Sequence, residues 1–204
     1  MHKDEDVQVL KTEPSGESFL KLHVISERTG IFLCLKRLSK RATQSTAPDL
    51  FDQARLSLET SSHGTMRFVK EYHLIKRREA IGQSYRSLRS ASRLCQLLVS
   101  NASHMPESAV LFDLVGRSLD AFATGKAPEV VQLKSLYLIL KEEGLPVRES
   151  WWPTLRADLR APAQKILNET SPSQLSPDGR EFCEAIERQL VLWMRHHTDW
   201  IVPE

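Results

Sequence analysis

Basic side chains are concentrated in one quarter of the chain. Residues 28–78 contain eleven lysines and arginines against four acidic residues, a net charge of +7 in a chain whose overall charge is +2. Four of these cations lie within six residues, at Lys36, Arg37, Lys40 and Arg41. Such a cluster repels itself unless a counter-charge is near, and a phosphate backbone supplies one while releasing condensed ions. A solvated basic loop is the alternative interpretation.

The predicted nucleic-acid-binding surface extends beyond this cluster, because the neighbouring predicted strands carry further cations. We assign eight residues to it: Arg28, Lys36, Arg37, Lys40, Arg41, Arg55, Arg67 and Lys70. The aromatic candidates for stacking on bases are Phe19, Phe32, Phe68 and Tyr72. With so few aromatic side chains, we expect weak stacking and a strong dependence of binding on salt.

A second group of cations recurs at helical spacing later in the chain. Arg86, Arg89 and Arg93 are three or four residues apart, so they share one face of a helix. One interpretation is a solvent-exposed helix face. The other is the rim of a groove that binds an acidic and apolar peptide, and we carry these three arginines forward as the candidate partner-binding site.

The sequence contains no pattern that indicates catalysis. It has no G-x-x-x-x-G-K-[ST] phosphate loop, no G-x-S-x-G elbow and no H-E-x-x-H helix. Its three cysteines, Cys34, Cys95 and Cys183, are far apart and indicate buried free thiols rather than a metal site. We therefore expect a protein that is not an enzyme and has no cofactor, no metal and no small-molecule substrate.

The elements that carry the first group of cations are predicted to be strands. Strands are predicted over residues 7–10, 18–25, 31–35, 54–59 and 66–75, with alternation of apolar and polar residues clearest in 18–25 and 54–59 and turn signals at 27–30 and 61–64. In the fifth strand this alternation places Met66, Phe68, Tyr72 and Leu74 on one face. Five short strands with few helical residues between them favour a small closed barrel of the OB type, which leaves no free edges.

After Arg78 the period of the apolar residues changes from two to about 3.6. Helices are predicted near residues 85–98, 106–122, 128–140, 151–168 and 178–197. Pro162 predicts a kink in the fourth, and Asp178 with Glu181 predicts a capping box on the fifth. The expected fold is therefore α+β: an OB-type nucleic-acid-binding barrel over residues 1–78, followed by an all-helical domain over 79–204.

The N-terminal residues are polar and acidic and lead into no apolar segment of signal-peptide type. No run of residues approaches the ~20 apolar residues of a spanning helix. The sequence thus predicts a cytoplasmic protein with no membrane partner.

The order of these motifs resembles the RecO family of bacterial recombination mediators. The matching segments are Gly16–Ser18, Phe19–Ile25, Ser26–Gly30, Lys36–Arg41, Leu50–Phe51, Leu88–Ser92, Leu111–Leu114 and Leu138–Pro146. Many members of the family carry a four-cysteine zinc module after the last of these segments. This chain has Val147–Trp152 there, without a cysteine, so the family's zinc is not carried over.

The resemblance implies a function in DNA repair and recombination. It implies binding to single- and double-stranded DNA, annealing of complementary strands, and help in loading RecA onto strands coated by the single-strand-binding protein SSB. The implied protein partners are RecR and the acidic C-terminal tail of SSB. The residues themselves leave two other readings open: an interaction adaptor whose helical domain docks partners without DNA binding, and an enzyme of unrecognised type.

Overall fold

A computed structural model of the chain describes residues 3–38, 47–61, 66–105 and 109–203. Within them the chain forms two compact units. The first contains the described residues up to Arg78 together with Ala102–Gly116, and the second contains Glu79–Asn101 and the described residues from Arg117 onwards. Residues 102–116, which the sequence analysis assigned to the helical domain, thus group with the strands.

The first unit is built on a closed five-stranded barrel. Its strands are β1 (Lys3–Ser15), β2 (Phe19–Ser26), β3 (Gly30–Arg37), β4 (Gln53–Thr60) and β5 (Arg67–Lys76). Their order around the barrel is β1-β2-β3-β5-β4, and β1 pairs with β4 to close it. All pairs are antiparallel except β3 with β5. The predicted α+β fold with an N-terminal barrel of the OB type is confirmed.

Apolar side chains from all five strands fill the barrel. The buried set is Val7, Val9, Leu22, Val24, Cys34, Ala54, Leu56, Leu58 and Val69. Full burial of a valine or leucine side chain contributes about 1.5–3 kcal/mol, so this interior is the main source of stability in the barrel. The turn between β2 and β3 forms at the predicted place, where Gly30 has a φ of +67° that a residue with a Cβ rarely adopts.

The prediction that Met66, Phe68, Tyr72 and Leu74 share one face of β5 was wrong. The pairing of β4 with β5 shifts between Ser57 and Leu58: Ser57 is opposite Glu71, whereas Leu58 is opposite Val69. This β-bulge inserts one residue into β5 and interrupts the alternation of its faces. As a result Val69 is buried in the core, whereas Phe68 is only half-buried and does not belong to the core.

A buried arginine, Arg78, connects three separate segments of the first unit. Arg78 is 3% exposed. Its guanidinium donates hydrogen bonds to the Gln8 side-chain oxygen at 2.9 Å, the Phe51 carbonyl at 2.6 Å and the Gly116 carbonyl at 3.5 Å. A Cβ at Gly116 would lie 2.9 Å from the Gln8 amide nitrogen, so a larger residue there would require the end of the Gln8 side chain to move.

The second unit is helical. Its helices are α1 (Tyr85–Ser100), the second half of α2 (Ala109–Ala123), α3 (Pro128–Glu142), α4 (Ala157–Asn168) and α5 (Pro177–His197). Its core combines leucines of α1, α3 and α5 with three large side chains, Trp151, Trp193 and Met194. In the described parts of the chain, no helix has both the length and the apolar character that crossing a membrane requires.

Several predicted helix ends differ from the structure. The segment predicted as one helix from residue 151 is instead two short turns, Val147–Trp151 and Trp152–Thr154, followed by α4, which does contain Pro162. The N-cap of α5 is Ser176, whose hydroxyl accepts a hydrogen bond from the Gly179 amide at 3.1 Å. Asp178 therefore lies in the first turn, because Pro177 already occupies the first helical position.

Candidate functional site

A groove of about 730 Å³ lies on the surface of the barrel, where β3 and β5 pair in parallel. We call it the barrel groove. Its apolar lining comes from Phe19, Leu35, Phe68 and Val69, and its polar lining from Lys36, Arg37, Glu59, Thr60, Ser61 and Lys70. Phe19 directly follows the loop between β1 and β2, and Ser61 begins the loop between β4 and β5. Residues next to the loops that follow β1 and β4 thus border the groove.

Two of the four predicted stacking residues meet in the barrel groove. The rings of Phe19 and Phe68 pack edge to face, with centroids 6.2 Å apart and an interplanar angle of 61°. The other two candidates are used elsewhere. Phe32 and Tyr72 pack against the barrel core, and the Tyr72 hydroxyl donates a hydrogen bond to Asp52 at 2.7 Å.

Three of the predicted cations line the barrel groove. The Lys36 ammonium donates to the Lys70 carbonyl at 3.1 Å, and its partial burial lowers its pKa. Lys70 forms an ion pair with Glu59. Arg37 is exposed and has no side-chain hydrogen bond or ion pair with any described residue. One carboxylate thus faces three cations, which leaves the groove positively charged.

Arg67 lies beside the groove rather than in its lining. Its guanidinium carbon is 4.4 Å from the centroid of the Phe32 ring, a cation–π contact. One of its terminal nitrogens, Nη1, is shielded from solvent and finds no hydrogen-bond partner among the described residues. In this position Arg67 contributes to the field of the barrel but presents little of its surface to a ligand.

Arg28 and Arg55 do not join the barrel groove. Both line a different pocket, whose other charged residues are Asp4, Glu5, Asp6 and Glu27. Arg55 donates to both carboxylate oxygens of Asp6, at 2.7 and 3.0 Å, and this bond lowers the pKa of Asp6. The cationic surface predicted from the sequence is therefore divided between two pockets. At this second pocket, carboxylates neutralise the charge of Arg28 and Arg55. Lys40 and Arg41 lie outside the described residues.

The structure brings Arg86, Arg89 and Arg93 together in a groove of about 520 Å³ between α1 and α5, which we call the helical groove. Two cations that sequence reasoning missed, Arg188 and Arg195, line the same groove. They lie seven residues apart, two helical turns, so this spacing on the last predicted helix was a usable signal. Val191 and Leu192 supply apolar wall, and Leu192 is 56% exposed.

Two nearly buried carboxylates lie under the arginines of the helical groove. Arg86 is 3.2 Å from Glu129, and Arg93 is 3.2 Å from Glu187. Burial raises the pKa of Glu187, and the charge of Arg93 opposes this shift. Arg89 is exposed and forms no hydrogen bond or close ion pair within the described parts of the chain. Its charge remains available to a ligand.

Comparisons with known proteins add no further constraint on these two grooves. No protein-family model matches the chain, and a search of curated proteins returns no match. The function therefore rests on the geometry of the grooves and on the motif order given above.

Proposed function

We propose that this chain is a DNA repair and recombination mediator without catalytic activity, whose barrel holds a single DNA strand in the barrel groove. One observation carries the proposal: a half-buried aromatic pair and a cluster of cations meet in one groove. The groove overlaps the region in which OB-type barrels take their ligands, since Phe19 begins β2 and Leu35, Lys36 and Arg37 belong to β3. Such barrels bind oligonucleotides on the face of strands 2 and 3, between the loops that follow strands 1 and 4.

The two parts of the groove suit the two parts of a nucleotide. Single-stranded DNA is commonly held by cations that follow its phosphates and by aromatic rings on which its bases stack. Here Arg37 and Lys70 supply exposed positive charge, while Phe19 and Phe68 supply ring surface. Neither feature reads base identity, so we expect little sequence preference.

The roles beyond strand binding follow from the resemblance to the RecO family. They are binding of double-stranded DNA, annealing, assistance to RecA loading on SSB-coated strands, and contact with RecR. The helical groove supports one more proposal, the docking of the acidic SSB tail. A short acidic and apolar peptide needs a cleft between helices with arginines at its rim, and this groove combines Arg89 with the exposed side chain of Leu192.

Strand binding is tested by titrating a fluorescently labelled single-stranded oligonucleotide with wild type and the Phe68→Leu variant. Loss of one stacked base costs about 1–3 kcal/mol, so affinity should fall at least fivefold. The dependence on salt should not change, because no charge is removed. The control is Tyr85→Leu, which removes an aromatic ring that is 76% exposed in the helical unit. Unchanged affinity in Phe68→Leu, or an equal loss in the control, contradicts the assignment.

Peptide docking is tested by calorimetry with an SSB-tail peptide. Arg86 and Arg93 are poor targets, because their removal leaves Glu129 and Glu187 unpaired and nearly buried. We therefore choose the double variant Arg89→Gln/Leu192→Ala, with Arg148→Gln as a control for charge, and expect a loss of about tenfold. If wild type does not bind the peptide, the docking proposal fails. If the peptide binds but DNA does not, the adaptor reading is correct.

A further inference from the structure

Another depression, of about 400 Å³, lies in the helical unit at the first turns of three helices. Ser84 is the N-cap of α1, Pro128 is the first residue of α3, and Arg180 lies in the first turn of α5. All three line this depression, which we call the cationic cleft. Helix N-termini present partial positive charge and unpaired amide donors, so their convergence favours an anion.

The side-chain charges in the cationic cleft also favour an anion. Arg86, Lys126 and Arg180 come from three separate parts of the chain, and Glu129 is the one carboxylate among the residues that line it. Glu129 is held by Arg86 at 3.2 Å. The side chains of Lys126 and Arg180 form no hydrogen bond or ion pair with any residue that the structure describes. Two positive charges are therefore left uncompensated.

Arg180 and Ser84 supply hydrogen-bond donors to the cationic cleft. The Arg180 Nε atom is out of contact with solvent and has no hydrogen-bond partner among the described residues. A ligand oxygen would therefore meet the terminal Nη1 and Nη2 atoms of Arg180 rather than the shielded Nε atom. The Ser84 hydroxyl accepts from the Ser87 amide at 3.4 Å, so its own proton can be donated to a ligand.

We propose that the cationic cleft binds a phosphomonoester group. Such a group carries about −1.5 to −2 charges at pH 7 and three terminal oxygens, whereas a backbone phosphodiester carries a single charge. The monoester thus matches the two uncompensated cations and the hydroxyl and guanidinium donors around them. The volume also admits part of the molecule that bears the phosphate, since a water molecule takes about 30 Å³. This proposal is independent of strand binding by the barrel groove.

Two sources supply this chemistry, a free mononucleotide and the phosphorylated end of a nucleic-acid strand. Calorimetry on the full chain compares inorganic phosphate, adenosine monophosphate and adenosine. A second arm compares a short oligonucleotide with a 5′-phosphate and the same oligonucleotide with a 5′-hydroxyl. We expect one site per chain for the mononucleotide, which requires the phosphate. For the oligonucleotide we expect one site that requires the 5′-phosphate, in addition to binding in the barrel groove that both forms share. The arm with the tighter binding identifies the source.

The discriminating variant is Lys126→Gln/Arg180→Gln, and the matched control is Arg148→Gln/Lys165→Gln. The control removes the same formal charge from exposed positions of the helical unit that do not line the cleft. Loss of two charge-assisted contacts should weaken phosphate binding at least tenfold in the first variant and less than about twofold in the control. A thermal melt checks that both variants are folded. Absence of a phosphate-dependent site in wild type, or equal losses in the two variants, overturns the proposal.

Discussion

Removal of two cations from the barrel groove separates binding at this site from general attraction to a basic protein. The variant is Arg37→Gln/Lys70→Gln. Both side chains are exposed, so the free energy of unfolding should change by no more than about 0.5 kcal/mol per substitution. Any larger change in DNA binding then reports on the interface.

The expected size follows from the phosphate contacts that are lost. On single strands each contact contributes about 0.7 to the slope of log K against log salt. Loss of two contacts lowers the slope by about 1.4, which at 0.1 M salt is about 25-fold in affinity. Lys70 is already paired with Glu59, and a phosphate must compete with that carboxylate. If only Arg37 contributes fully, the loss is about fivefold.

The assay is fluorescence anisotropy with a labelled single strand at several salt concentrations. The matched control is Arg28→Gln/Arg55→Gln, which removes the same charge from the same unit at the acidic pocket. Arg55 already donates from its Nε and Nη2 atoms to the two carboxylate oxygens of Asp6. We expect less than about a twofold change for the control, because neither residue lines the barrel groove and carboxylates already offset their charge at the acidic pocket. Equal losses in the two variants would refute the groove and would favour a diffuse surface made of all the predicted cations.

Three further predictions concern stability and metal. Arg78→Met leaves the oxygens of Gln8, Phe51 and Gly116 without their donor inside the first unit, and should lower the free energy of unfolding by about 3 kcal/mol in urea titrations. Glu187→Gln should be more stable than wild type at pH 7, because burial disfavours the charged form of Glu187 and so raises its pKa. Thermal melts should show this advantage shrinking as the pH falls towards and below 4.5, because wild type is then protonated in the folded state as well. Elemental analysis should find no stoichiometric zinc, because the spacing of the three cysteines provides no four-ligand set; one zinc per chain would contradict this.

The barrel was predictable because its signals are local. Alternation with period two survives in β2 and β4, and Gly30 marks the turn between β2 and β3. The face of β5 was not predictable in the same way. A bulge depends on the pairing with β4, and nothing in the residues from Arg67 to Lys76 announces it. That bulge decides which aromatic side chain faces the groove, since it turns Val69 into the core and leaves Phe68 outside.

The sequence could predict which residues belong to the candidate sites, but not how these residues are divided between separate pockets. Counting charges along the sequence finds Arg28 and Arg55 together with Lys36 and Arg37, because all of them lie on or beside strands of one barrel. The count cannot show that β1 brings Asp6 next to Arg55, which depends on the pairing between two strands about fifty residues apart. The helical groove could not be predicted in full for the same reason, since Arg188 and Arg195 join Arg89 only through the packing of α5 beside α1.

The geometry of the barrel groove also predicts different binding for its two proposed ligands, single-stranded and double-stranded DNA. An aromatic ring gains a stacking contact with a base that has left its neighbours, and the bases of a duplex are already stacked on one another. Double-stranded DNA must therefore rely on phosphate contacts, with a slope of about 0.9 for each contact in place of about 0.7. Phe68→Leu should then weaken single-strand binding and leave duplex binding nearly unchanged, whereas Arg37→Gln/Lys70→Gln should weaken both. A mediator that anneals strands needs this asymmetry, because the product duplex must leave a groove that the separate strands prefer.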